Sequence, residues 1–306
     1  MVVDEGIRDR AAGVLLGTAA GDALGAGYEF THPGPDRVID MIGGGLGNFA
    51  PGEWTDDTSM ALAIALAAEK GPGIDLDEVA AGFVRWYDSG PADIGVQTAR
   101  VLGARPESAA AMRRCADGLP GRTGGNGSLM RTAPVALAYL GDAEGCVRAA
   151  DEIGRLTHRD PQAVEACRIW SHAIRHAVLA ADFDGVRAAA TAHAAEWHAL
   201  LDQAETGAPS DFSNNGWVVH AFQTAWWAIT TADASGPDHL PAALELCVRA
   251  GGDTDTTAAI SGGLLGARWG ASAVPDRWRE MLHGYPGLTG DDLAALGVRI
   301  VEASAS

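Results

Sequence analysis

Apolar residues recur with a helical period along nearly the whole chain, and the strict alternation of a half-buried strand is hard to find. The pattern predicts helices over 6–26, 56–69, 76–88, 93–103, 133–140, 144–155, 161–181, 184–202, 217–232, 239–250, 256–268 and 276–283. Pro161, just after Thr157-His158-Arg159-Asp160, suits a first helical position, where its missing N–H costs nothing. Residues 41–52 and 118–128 are glycine-rich loops, and 204–215 and 233–238 are polar connections. No linker is long enough to divide the chain. The expectation is one compact all-α domain over 1–306, with an active site at converging helix N-termini and loops.

Glycines sharpen this picture. Gly13, Gly17, Gly21 and Gly25 fall at spacing four in the first helix, and Gly262, Gly266 and Gly270 repeat the spacing near the C-terminus. Such a stripe weakens a helix unless another backbone comes close. The first and last long helices are therefore expected to be central and tightly packed.

Bulk composition sets limits. The 306 residues are 47% hydrophobic, enough for a core, and the formal net charge is −18. That balance argues against a nucleic-acid backbone or an anionic membrane as the main partner. It leaves room for an anionic small ligand, because metal ions reverse the field at a site. Lys70 is the single lysine, and the arginine and alanine excess fits a GC-rich, bacterial genome. Cys115, Cys146, Cys167 and Cys247 are scattered and form no CxxC pair, which points to reduced thiols in a cytoplasmic protein. The start, MVVDEGIRDR, has no signal-peptide pattern, and no apolar run reaches membrane length.

Two acidic clusters carry the candidate chemistry: Thr55-Asp56-Asp57-Thr58, and Asp253-Thr254-Asp255-Thr256-Thr257 behind Gly251-Gly252. Each precedes an alanine-rich helix, and either alone is more often a helix cap than a metal site. A cap needs only one side chain, however. Asp56, Asp57, Asp253 and Asp255 gathered in one site would repel one another and call for cations. Two Mg²⁺ would balance them, with Thr55 and Thr256 as neutral oxygens, and Mn²⁺ could take the same ligands. An isoprenoid synthase would need a second carboxylate three residues on, but Thr58-Ser59-Met60 follows Asp57. Gly124-Gly125-Asn126-Gly127-Ser128 is either a turn or a phosphate-approaching loop before a helix. Trp217, Trp226 and Trp227 read as core packing at helical spacing.

Seven segments in fixed order then carry a likeness: GTAAGDALGAGYEF (17–30), EWTDDTSMALAIA (53–65), SGPADIGVQT (89–98), GGNGSLMRTAPVAL (124–137), THRDPQAVEAC (157–167), NGWVVHAFQTAWWAI (215–229) and GGDTDTTAAISGGLLGA (251–267). Together they resemble the ADP-ribosylglycohydrolase family, which includes dinitrogenase reductase activating glycohydrolases and ADP-ribosyl-arginine and ADP-ribosyl-serine hydrolases. The resemblance implies an all-α fold with a two-magnesium centre on Thr55, Asp56, Asp57, Asp253, Asp255 and Thr256. It implies cleavage of the C1″ bond between ADP-ribose and a protein side chain, arginine favoured over serine, nucleic-acid or O-acyl linkages, or else a catalytically weak ADP-ribose binder. It places a catalytic carboxylate on Glu29, beside Asp56 and Asp255, and an acceptor-side aspartate on Asp93. Gly125, Asn126, Gly127, Ser128, Met130 and His158 become pocket residues around the phosphates and ribose. Relatives often read Asp-Ile-Gly-Asn where this chain has Val96, so the leaving-group contact differs. The partner expected is an ADP-ribosylated protein or a small ADP-ribose derivative, bound by a monomer.

Overall fold

Two helices from opposite ends of the chain lie backbone to backbone and form the axis of the molecule. The computed structural model describes residues 2–305. In chain order the helices are α1 (Glu5–Gly25), α2 (Asp56–Ala68), α3 (Leu76–Asp88), α4 (Val96–Leu102), α5 (Ala109–Asp117), α6 (Ala133–Ala138), α7 (Ala143–Gly154), α8 (Pro161–Ala180), α9 (Asp184–His193), α10 (Trp197–Thr206), α11 (Val218–Thr231), α12 (His239–Ala250), α13 (Thr254–Trp269), α14 (Asp276–Met281) and α15 (Gly290–Ala305). The strands among the described residues are the short β1 (His283–Gly284) and β2 (Leu288–Thr289), paired antiparallel.

The axis is α1 against α13. A side-chain carbon at Gly17 would collide with the Gly262 carbonyl, and one at Gly266 with the Gly13 carbonyl. The two glycine stripes are thus what lets the backbones touch. Gly270 departs from the expected stripe: it caps α13 at φ +85° instead of lying within it. α15 packs on the other side of α1, where Gly297 makes room for the Ala11 carbonyl. α8 and α11 flank α13. Trp170 of α8 donates from Nε1 to the Ile260 carbonyl (3.0 Å) and meets Phe222 edge-on, with ring centroids 4.8 Å apart. On the other flank the hairpin holds the chain entering α2. Trp54 donates its backbone N–H to His283 O (3.1 Å) and its Nε1 to Tyr285 O (3.0 Å).

Several predicted boundaries move. The helix expected over 184–202 breaks at Ala194, which is extended (φ −162°, ψ 78°). The break turns Trp197 inward, where it is buried against Phe222 and bonds Glu165 through Nε1 (2.9 Å). α10 then runs to Thr206, into what reads as a polar connection. The helix expected from 93 begins at Val96, because the Asp93 carboxylate accepts the adjacent Ile94 N–H (2.7 Å) and holds a turn. α5 and α15 are not predicted at all. α15 starts with a reciprocal cap: Thr289 N–H and Oγ1 donate to Asp292 Oδ2 (2.9 and 2.7 Å), and Asp292 N–H donates back to Thr289 Oγ1 (3.4 Å). No described helix is long and apolar enough to cross a membrane.

Candidate active site

The site forms where the N-termini of α2 and α13 meet the C-terminal end of α1. Asp22, buried in α1, is its hinge pin. Its carboxylate accepts Thr55 N–H (2.9 Å), Thr58 N–H (2.9 Å) and the Thr58 hydroxyl (2.6 Å). These bonds fix the first turn of α2 and point its acidic pair at α13. Thr55 caps that turn, and its hydroxyl donates to Asp57 Oδ2 (3.0 Å). Asp57 is fully buried, yet its Oδ1 has no hydrogen-bond partner.

The second arm enters through Gly251 and Gly252, at φ +75° and +74°, a backbone that favours glycine. The turn is clamped by Asn215, which accepts Asp253 N–H (2.9 Å) and donates to Gly251 O (2.9 Å). Asn126 donates to Asp253 Oδ2 (2.7 Å) and to Asn215 O (2.9 Å). Asp253 therefore occupies the cap position of α13 without capping it, its carboxylate being held by Asn126 instead. The Thr254 hydroxyl ties the turn to Gly25 O (2.9 Å).

Two sets of three carboxylates result. Oxygens of Asp22, Asp57 and Asp255 lie within 4.8 Å of one another, and so do those of Glu29, Asp253 and Asp255. Asp255 belongs to both. Asp56 stands outside both sets, its Oδ2 accepting the Gly95 N–H (3.4 Å). Burial first, then the neighbouring carboxylates, holds Asp56, Asp57 and Asp255 well above the usual carboxylate range. Burial raises Asp22 to about 6, and burial with Asp253 and Asp93 raises Glu29 to about 8. Oxygen-only donors, crowded negative charge and the orphaned Asp57 Oδ1 fit a hard divalent cation.

Above this floor opens a cleft of about 400 Å³. Its walls bring together Glu29, Asp56, Asp93, Gly125, Asn126, Gly127, Met130, His158, Asp253, Asp255 and Thr256 from the predicted set. Thr55 and Asp57 lie beneath it, buried. Ser128 departs from expectation: it is buried behind the loop and does not reach the cleft. Asn126, expected to face the ligand, has its amide committed to Asp253. The rim exposes Phe30, Leu46 and Val96, and Phe30 adopts φ +54°, a strained backbone for an aromatic residue. Past Gly125 and Gly216 the cleft meets a second groove of about 870 Å³. Trp217 lines that groove beside His220 (ring centroids 4.7 Å) and is also packed, partly buried, against the core. Trp226 is buried as expected, with Nε1 on Glu205 (2.8 Å). Trp227 is only partly buried against the core.

The family model described as ADP-ribosylglycohydrolase matches residues 4–306. The chain belongs to this family. It is a hydrolase acting on glycosyl bonds, and the family as a whole depends on metal. An ADP-ribosylarginine hydrolase, Tri1, of Pseudomonas putida (strain GB-1) is 31% identical over 278 residues, covering 89% of this chain and 74% of the relative. The ADP-ribosyl-[dinitrogen reductase] glycohydrolase of Rhodospirillum rubrum is 30% identical over 288 residues, covering 90% of this chain and 91% of the relative. A solved structure described as an ADP-ribosylglycohydrolase-related protein complex superposes with a TM-score of 0.78 at 30% identity, covering 98% of this chain and all of that one. In this glycohydrolase, sequence reasoning missed Asp22 and Asn215, the two residues that aim the acidic arms. Both lie inside quoted motifs, but neither has a local partner that would mark it.

Proposed function

We propose that this glycohydrolase cleaves the C1″ bond of ADP-ribose attached to a protein arginine, and that it works with two Mg²⁺. The observation that carries the reading is Asp255, shared between two three-carboxylate sets at the floor of a cleft that also holds Glu29 and Asp93. The name of the Pseudomonas putida relative supports the arginine linkage, and that of the Rhodospirillum rubrum relative supports a protein-attached ADP-ribose.

Asp57, Asp253 and Asp255 would hold the cations, with Asp56, Thr55 and Thr256 completing the ligands. When bound, Mg²⁺ supplies Lewis acidity to the sugar hydroxyls and to the attacking water. Asp22 keeps the first turn of α2 in place, and Asn126 and Asn215 keep the Asp253 turn in place. The chain's carboxylates face the ribose, where positive character builds as the bond breaks. Glu29, whose carboxyl is raised to about 8 in the metal-free fold by burial and then by Asp253 and Asp93, is the acid–base group facing the reacting carbon. Asp93 receives the guanidinium of the leaving arginine. The glycine loop at Gly125 and Gly127, with His158 and Met130, takes the diphosphate and adjoining sugar.

The test is release of free ADP-ribose from arginine-linked and serine-linked peptides, each with Mg²⁺ and with EDTA. Mg²⁺-dependent release from the arginine peptide is expected. Asp93→Ala should lower kcat/KM on that peptide about tenfold or more, as for a lost charge-assisted hydrogen bond, and act less on other linkages. Release from the serine peptide alone would reassign the linkage. ADP-ribose binding without any release would make the chain a reader, and absence of both would end the reading.

A further inference from the structure

Behind the glycine-loop wall of the cleft lies a buried cation with no carboxylate in ion-pair contact, Asp56 acting on it only from a distance. Arg131 is fully buried and forms no ion pair with a carboxylate among the described residues. Its guanidinium lies over the Phe83 ring (4.4 Å to the centroid), and Nη1 approaches Met60 Sδ (3.6 Å). Nη2 donates to Thr157 Oγ1 (2.6 Å), and Thr157 Oγ1 lies 2.7 Å from His158 Nδ1. Thr157 is fully buried and His158 nearly so. The opposite edge of the imidazole faces the glycine loop. A side-chain carbon at Gly127 would come 3.0 Å from His158 Cε1 and 3.2 Å from Nε2.

The proton positions follow from donor and acceptor counting. Arginine only donates, so Thr157 Oγ1 accepts from it. The hydroxyl's own proton then has one acceptor in reach, His158 Nδ1. Were Nδ1 to carry a proton instead, that buried hydroxyl proton would have no acceptor. His158 is neutral, because burial and then Arg131 push it down to about 3. Its proton therefore sits on Nε2, which no other group of the chain uses among the described residues and which borders the cleft.

We propose that Arg131 and Thr157 form a buried relay that locks His158 as a neutral Nε2–H donor. In this arrangement Arg131 is the counter-charge, one hydroxyl and one imidazole removed, for an anionic group bound at the glycine loop. Arg131 and Thr157 are positioning residues: neither reaches the cleft. The relay accounts for a buried guanidinium with no carboxylate in contact, since the nearer compensating charge arrives with the ligand. The ligand half of this inference rests on the diphosphate reading given above, whereas the tautomer half stands without it.

The experiment uses the full chain labelled with ¹⁵N-histidine, with the His158 signals assigned by their loss in His158→Gln. Long-range ¹H–¹⁵N spectra report which ring nitrogen carries the proton, and calorimetry reports ADP-ribose affinity. The wild type should show the Nε2–H form. Thr157→Val, close in shape but without the hydroxyl, should move His158 toward the Nδ1–H form or a mixture and weaken ADP-ribose about tenfold. Thr157→Ser should restore both. Arg131→Met should weaken ADP-ribose at least as much; should it fail to fold, Thr157→Val still decides. An Nδ1–H form in the wild type overturns the relay, as does Thr157→Val that weakens binding with no change of tautomer. The expected tautomers with no ADP-ribose binding by the wild type would support the relay and overturn the diphosphate reading.

Discussion

The two ends of the cleft bury charge of opposite sign, and both leave it unmatched inside the chain. At one end Asp22, Asp57 and Asp255, with Glu29 and Asp253 beside them, crowd carboxylates until several rise far above their ordinary range. At the other end Arg131 is buried with no carboxylate in contact and drops to about 10 through burial, which the distant Asp56 only partly offsets. The acidic end is built from helix N-termini, which favour negative charge but cannot neutralise this much of it. The basic end is built from a ring face, a sulfur and a hydroxyl, which stabilise a guanidinium only weakly. On the proposed reading each end would be completed by what binds there, cations at one and an anion at the other.

Removing the shared carboxylate breaks the acidic end most directly. Asp255→Asn should cut turnover by about 10³-fold or more, because cation polarisation is worth several kcal/mol. The same substitution should raise the melting temperature of the metal-free protein, since it relieves repulsion. A variant that is both active and no more stable would remove Asp255 from the centre of the site. Glu29→Gln comes next, with a loss of about 10²-fold in kcat and little change in ADP-ribose affinity. Unchanged kcat would leave Glu29 as a wall residue.

Asn126→Ala releases the clamp on Asp253 without touching any carboxylate. It should weaken the divalent cation about 10–100-fold, as loss of an orienting partner does, which titration calorimetry would measure. The smallest effect is on pH dependence. Glu29 keeps its proton to about pH 8 in the fold but only to about 4.5 in the unfolded chain. The fold holds more protons between those values, so metal-free stability should fall as pH rises through that window. Adding Mg²⁺ should reverse the trend, with a larger melting shift at pH 8 than at pH 5, because protons no longer compete for the ligands. Equal shifts at both values would mean that the cation binds elsewhere.

What the sequence disclosed follows from how local each signal is. The glycine stripes of α1 and α13 and both acidic clusters are written at short spacing, and the structure brings each pair together. Asp22 was hidden because a lone aspartate in an apolar helix has no neighbour to explain it; its partners Thr55 and Thr58 lie in another helix. Arg131 and Thr157 meet only through the tertiary fold. The resemblance places Asn126 in the pocket, where it does line the cleft, but its bond to Asp253 is made across the fold and has no local signal. α15 carried a legible start in Thr289 and Asp292, but Gly297 within it weakens the helical pattern. That glycine is explained only by the carbonyl of Ala11 pressed against it.

The pairing of α1 with α13 also has a consequence for the newborn chain. Asp57 leaves the ribosome about 200 residues before Asp253 and Asp255. At ~5–20 residues per second, its acidic turn and the glycine face of α1 wait roughly 10–40 s for their partner. During that interval the nascent polypeptide has only one of its two acidic arms and an unshielded helix groove. Catalytic competence is therefore a late event in synthesis, and a chain truncated before α13 would have neither its axis nor its chemistry.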